Sequence, residues 1–284
     1  MNKTYIINEI KKMLDDAVDV KFQKIQKSYG EVEGISITEH DSNVGTVCYY
    51  DENDSDDLIV MKVLNVFKNN KPNFDVETIA KNIRNWYWVR DNIFPCLYNK
   101  NKGKNIGIVS ADVAGDISVM FRIVLPDISK DGQGTIRVTE DMFDEWNVSF
   151  NELFNAAKAN LNKNLTIVGM NKIMESMIFE AGDKYNTRFI DDDDDIMKVA
   201  TITSKTNGAS VMLLFSDLID SGEIEDKDYY ILPSSIHEII YLDEYNDAYK
   251  DMIKDVNSSV LNPADFLSDN VYIYDHITKE IRVA

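Results

Sequence analysis

Two serines, a histidine and a glutamate fall within five residues in the run YYILPSSIHEIIYL: Ser234, Ser235, His237 and Glu238. A serine hydroxyl becomes a nucleophile when an imidazole takes its proton and a carboxylate orients the ring. Ser235 and His237 share a face if the stretch is extended, whereas Glu238 then points the other way from His237. Base and orienting carboxylate therefore diverge. No Gly-x-Ser-x-Gly elbow frames either serine. The His-Glu pair also lacks the second histidine of a helical zinc motif. The chain has three histidines, so His40 and His276 are the remaining sources of an imidazole. The competing reading is a turn between two strands, in which Pro233 fixes φ and the serine hydroxyls satisfy local backbone donors. The spacing favours the turn. A hydrolase centred on Ser235, His237 and Glu238 is the alternative to the expectation of a protein without catalytic activity.

Other stretches imitate known sites and depart from them. DENDSDD, 51–57, resembles the start of a calcium loop, but its sixth position is Asp56 rather than glycine and its twelfth is Lys62 rather than glutamate. The basic run NKNKGKN, 99–105, lacks the second glycine and the Lys-Ser/Thr pair of a phosphate loop. DGQGT, 131–135, has no strand-to-helix frame around it. The aspartates Asp191, Asp192, Asp193, Asp194 and Asp195 have no alternating ligand spacing, and their mutual repulsion predicts a solvated loop. No metal site and no cofactor are expected.

The formal charge is −19. Such a chain is repelled by phosphate backbones and anionic bilayers, which disfavours direct nucleic-acid and membrane binding. The expectation is a protein partner, a basic one such as a protein that handles nucleic acid. The protein would then act as an acidic interaction partner, an inhibitor or a nucleic-acid mimic. The residues expected to meet it are Asp51, Asp54, Asp56 and Asp57, the run Asp191 to Asp195, and Trp88 as an aromatic anchor. Packing of Trp88 inside the fold is the competing reading. The oligomeric state is open.

Two cysteines, Cys48 and Cys96, both in apolar surroundings, predict buried free thiols. MNKTYIINEIKKMLDDA has no signal-peptide pattern, because Glu9, Lys11 and Lys12 interrupt it. No apolar run is long enough to span a bilayer. A reducing cytoplasm is the expected compartment.

The elements that must position these residues follow from periodicity. Ile6, Ile10, Met13, Leu14, Ala17 and Val18 follow helical spacing and predict an opening helix. Strands VKFQKI, GISITE and GTVCYY follow, with Gly30 and Gly34 in turns. The acidic run leads into a helix over 58–68, and another helix is predicted over 76–90, with Pro95 beyond it. DISVMFRIVLP is the clearest strand, with Ile117, Val119, Phe121, Ile123 and Leu125 on one face, and TIRVT is its neighbour. Ser149 and Glu152 form a capping box, and Val148 can staple to Leu153 at the head of a helix reaching Lys163. MKVATIT and ASVMLLF flank Asn207-Gly208, a hairpin signal. A short helix, YYILP, EIIYL, a helix over 244–256, VYIYD and EIRVA complete the chain. The fold class is α+β: mostly antiparallel sheets with helices packed on one face, in two subdomains over 1–165 and 166–284.

YYILPSSIHEIIYL and MIKDVNSSVLNPADFLSDNVYIYD, together with DISVMFRIVL and TIRVTEDMFDEWNVSFNELFNAAKANL, resemble an uncharacterised bacterial family, domain-of-unknown-function family 5688. The resemblance is strong from Asp116 onward. Where members continue the hairpin into Tyr-Pro-Gly, this chain reads FSDL, 215–218. The resemblance implies one architecture along the chain and a bacterial cytoplasmic setting. It carries no catalytic residue.

Overall fold

The structure, a computed structural model, describes residues 1–27, 30–40, 45–69, 76–102, 107–125, 134–173, 189–190, 196–259 and 261–284. The protein is α+β with mostly antiparallel sheets.

The first layer pairs α1 (Lys3–Met13) and α2 (Asp56–Asn69) with a meander of β1 (Val18–Lys27), β2 (Gly30–Glu39) and β3 (Gly45–Tyr49). Ile6 and Ile10 recur at helical spacing and are buried against Ile59, Val63 and Phe67 of α2 and Ile35 and Ile37 of β2. Gly34, expected in a turn, instead lies inside β2. A Cβ there would stand 2.9 Å from Val47 Cγ1, so the glycine allows β3 to close on β2.

The predicted helix over 76–90 is broken in two. After α3 (Val76–Asn82), Asn85 takes an extended conformation and its Oδ1 accepts from the Tyr87 N–H, which starts α4 (Trp86–Asn92). The second sheet joins β4 (Ile93–Asn99), β5 (Ser110–Ala114), β6 (Ile117–Leu125) and β7 (Gly134–Arg137), with β6 central. Ile117, Val119, Phe121, Ile123 and Leu125 all face the main core. Pro95 occupies β4, which pairs with β6 alone, so its missing N–H costs no ladder bond.

Helix α5 (Glu140–Trp146) precedes α6 (Phe150–Lys163), whose capping box forms between Ser149 and Glu152. Leu153, Ala157 and Leu161 of α6 fill the main core. The third sheet runs β14-β13-β11-β12-β10-β8-β9, from β8 (Leu165–Gly169), β9 (Phe189–Ile190), β10 (Lys198–Ile202), β11 (Tyr229–Leu232), β12 (Ile239–Leu242), β13 (Tyr272–Asp275) and β14 (Glu280–Val283). Period-two alternation sends Tyr229, Ile231, Ile239, Tyr241, Tyr272 and Tyr274 into the main core. Leu232, Leu242 and Val271 lie on the other side against Ile253 of α8 (Ala248–Ser259). The main core draws on residues from Val89 to Tyr274.

The hairpin expected around Asn207-Gly208 does not form. Asn207 is left-handed, as its type favours, but ASVMLLF becomes a 3₁₀ helix (Gly208–Leu214) that runs into α7 (Phe215–Asp220). The reason is burial on every side: Ala209, Val211, Met212 and Leu214 are all inaccessible, and a short apolar run does not distinguish strand from buried helix. Among the described residues no helix is long and apolar enough to cross a membrane.

Candidate functional site

The quoted run folds as a turn between β11 and β12, and a second segment docks on it. Ile236 N–H donates to the Asp265 carbonyl at 2.8 Å. Leu267 and Ser268 N–H groups donate to the carbonyls of Ser234 and Pro233 at 2.9 and 3.2 Å. Ser235 bridges to Phe266. Two of the stretches that carry the family resemblance are thus in direct contact.

Ser235 is 2% exposed. Its hydroxyl donates to Glu238 Oε1 at 2.7 Å and accepts the His237 N–H at 3.0 Å. Glu238 therefore serves the serine rather than the imidazole. The His237 ring faces away, with Nε2 3.2 Å from Asp265 Oδ1 and Nδ1 accepting from the Asn207 N–H at 3.4 Å. With Nε2 toward Asp265 and Nδ1 toward the Asn207 N–H, neither ring nitrogen is directed at Ser235. The His237 carbonyl accepts from Thr201 Oγ1 at 2.7 Å and would lie 2.4 Å from a Cβ at Gly208. Ser235, His237 and Glu238 are thus neighbours without the convergence that nucleophilic catalysis requires. The other imidazoles lie elsewhere: His40 is 3.8 Å from Asp19, and His276 Nδ1 is 2.6 Å from Asp228. Among the described residues no group of three His, Cys, Asp or Glu side chains is placed to hold a metal.

A larger polar network lies beside this turn and escapes sequence reading. Asp116, just before β6, accepts at Oδ1 from Tyr272 Oη, from Ser268 Oγ at 2.8 Å and from Asn270 Nδ2 at 3.1 Å. Its Oδ2 accepts from Asn99 Nδ2 at 2.7 Å, and Asn99 also donates to the Leu267 carbonyl at 2.8 Å. Ser268 and Tyr272 are fully buried and Asn99 nearly so. Burial alone raises the Asp116 pKa, but the hydrogen bonds from Tyr272, Ser268, Asn270 and Asn99 outweigh it and hold the carboxyl below its usual value. The same environment pushes the Tyr272 phenol up. One signal in the sequence points here: Asn99 closes the apolar run IFPCLY, where a polar amide needs a buried partner.

The acidic run at 51–57 is folded into the head of α2. Asp51 Oδ1 accepts from the Asn53 N–H at 2.9 Å, and Asp54 pairs with Lys62 at 2.6 Å. Asp56 accepts the Asn2 N–H at 3.0 Å, and Asp57 accepts from Tyr5 Oη at 2.7 Å. Asp56 and Asp57 also occupy the first turn, where the helix dipole favours negative charge. Leu58 and Met61 point outward beside them, and Met61 is 68% exposed. Trp88 is half-buried against the main core, and its neighbour Trp86 packs on Trp146 with ring centres 5.7 Å apart. The outward aromatic of this helix is Tyr87, 72% exposed, with the Arg90 guanidinium 5.3 Å from its ring centre. Asp191 to Asp195 lie outside the described residues. Both thiols are buried, and burial pushes Cys96 up to about 11.

An acidic α+β protein whose C-terminal polar residues interlock two turns is the class this geometry defines. A family model described as a family of unknown function, DUF5688, matches residues 2–276, and the chain belongs to that family. The comparisons with curated proteins and with solved structures return no match.

Proposed function

We propose that the protein is a non-enzymatic interaction protein that binds a basic protein partner through the outer face of α1 and α2. The observation that carries this reading is the pairing of exposed apolar and acidic side chains there. Tyr5, Leu58 and Met61 are exposed, and Asp57 bonds Tyr5 directly. Leu58 and Met61 lie one helical turn apart, on the same side as Asp57. An apolar patch rimmed by carboxylates suits a partner surface that mixes lysine or arginine with apolar contacts. The overall charge of −19 favours the same class of partner by long-range attraction. The internal hydrogen bonds of Asp51, Asp54, Asp56 and Asp57 fix these carboxylates in a folded turn, which suits docking to one shaped surface better than imitation of a regular phosphate backbone. Hydrolysis at Ser235 would require Glu238 and His237 to exchange their present partners.

The test is retention of basic partners from a bacterial lysate by immobilised protein at salt concentrations of about 0.05 and 0.5 M. The expected result is a discrete partner lost at high salt. Capture should fall by about fivefold or more in a Met61→Ala/Asp57→Asn variant that keeps the parent thermal midpoint. Capture that is indifferent both to salt and to this variant would remove the proposed surface.

A further inference from the structure

The arginines of this acidic chain differ in how their charge is met. Arg84, Arg90 and Arg282 each lie within 4 Å of a carboxylate, at 3.7 Å from Glu145, 3.6 Å from Asp91 and 3.9 Å from Asp275. Arg122, at the centre of β6, differs: its Nε is sealed from solvent and has no hydrogen-bond partner among the described residues. Arg122 also stands directly opposite Arg137 in the β6–β7 register, so two like charges face each other across the ladder. Burial, and then the Arg122 charge, lower the Arg137 pKa. A buried N–H donor without an acceptor is rare in a folded protein, and here it belongs to a charged group.

Arg122 lines a small cavity of about 60 Å³ between the outer face of the second sheet and the loop after β10. One wall is apolar, from Phe94, Val124 and Ile202. The rim is polar, with the Asn164 amide and the Thr206 hydroxyl. Cys96 also contributes, but its raised pKa keeps it a neutral thiol at physiological pH. The cavity thus combines a guanidinium whose Nε has no partner among the described residues, neutral hydrogen-bonding groups and an apolar wall.

We propose that this cavity binds a small organic carboxylate, with the Arg122 guanidinium gripping the carboxylate and Phe94, Val124 and Ile202 receiving a short hydrocarbon tail. A planar carboxylate matches the planar guanidinium fork, with one oxygen reaching Nε–H and the other an Nη–H. A monoanion brings one acceptor charge to the unpartnered Arg122 Nε–H, whereas a phosphate dianion would add more negative charge to an already acidic protein. The apolar wall has no use for a fully hydrated inorganic ion. This site is independent of the partner-binding face on α1 and α2.

The experiment is titration of the ¹⁵N-labelled full chain with sodium propionate. The readout is the arginine Nε–Hε resonances, with the Arg122 signal assigned by side-chain triple-resonance spectra. Sodium chloride at matched ionic strength is the control, and sodium phosphate is a second arm. The Arg122 signal is expected to shift saturably with propionate, with a Kd on the order of 1 mM, the range open to a ligand of so few atoms. Chloride should leave it in place, and the Arg84 and Arg282 signals should not follow. The shifts of cavity-lining amides should vanish in Arg122→Gln and weaken several-fold in Thr206→Val. A response shared by all arginines, or none at saturating propionate, would overturn the proposal. Tighter binding of phosphate than of propionate would overturn the carboxylate assignment. The wild-type titration decides the matter even if Arg122→Gln does not fold.

Discussion

Asp116→Ala is expected to destabilise the protein by about 3–5 kcal/mol, because each buried donor left without an acceptor costs roughly 1–3 kcal/mol. Tyr272 and Ser268 are fully buried and both donate to this carboxylate. They lie 3.2 Å apart and can rescue one another in part, which keeps the loss below a simple sum. The network also joins residues more than 150 positions apart, so its loss uncouples β6 from the C-terminal strands. A typical domain has roughly 5–15 kcal/mol of stability, so the variant should unfold at much lower urea. Urea melts of the two proteins check this. A loss under about 1 kcal/mol would mean that the donors find other acceptors.

The same carboxylate predicts a pH dependence. Its pKa is lower in the folded protein than in the unfolded chain, where the value is about 4. The stabilisation is therefore complete above about pH 4 and is lost as pH falls through the folded value. The stability gap between the wild type and Asp116→Asn should accordingly narrow below pH 4 and be constant between pH 6 and 8.

The second large effect belongs to the apolar flanks of the quoted turn. Ile231 and Ile239 are fully buried in the main core. Truncating Ile239 to alanine should cost about 2–5 kcal/mol, from lost burial and the cavity left behind. His237→Ala removes a partly buried ring with one hydrogen bond and one carboxylate contact and should cost about 1–2 kcal/mol. Partner capture should remain within a few-fold of the parent in His237→Ala. Loss of a general base would instead reduce a rate by about 10²–10⁴-fold with little change in stability. Thermal midpoints and capture measured side by side on the two variants separate the cases, since a structural histidine and a chemical one predict opposite orders of damage.

Reading the chain residue by residue reaches some of this and not the rest, for physical reasons. The alternation of Ile117 to Leu125 and the Ser149–Glu152 box are local patterns, and both are present as expected. The break at Asn85 depends on one side chain choosing to cap rather than to continue a helix, a choice that propensity alone does not make. ASVMLLF is apolar at nearly every position, so it carries no period, and tertiary packing decides its conformation. The Ser235–His237–Glu238 cluster is visible as a composition of types, but the orientation of the His237 ring is set by partners far along the chain, Asp265 and Asn207. Local reading offers only Asn99 as a hint of the Asp116 network, since Asn99 and Tyr272 lie on separate sheets and meet only through a single carboxylate.

The central claim is that the serine, histidine and glutamate of the turn hold the fold and perform no chemistry. Incubation of the intact protein with a fluorophosphonate, followed by intact-mass analysis, tests this most directly, because such reagents modify serines whose proton a neighbouring base removes. With Glu238 as the acceptor of the Ser235 hydroxyl and the imidazole turned toward Asp265, the mass should be unchanged after prolonged exposure. A single stoichiometric adduct on Ser235, absent in His237→Ala, would contradict the account.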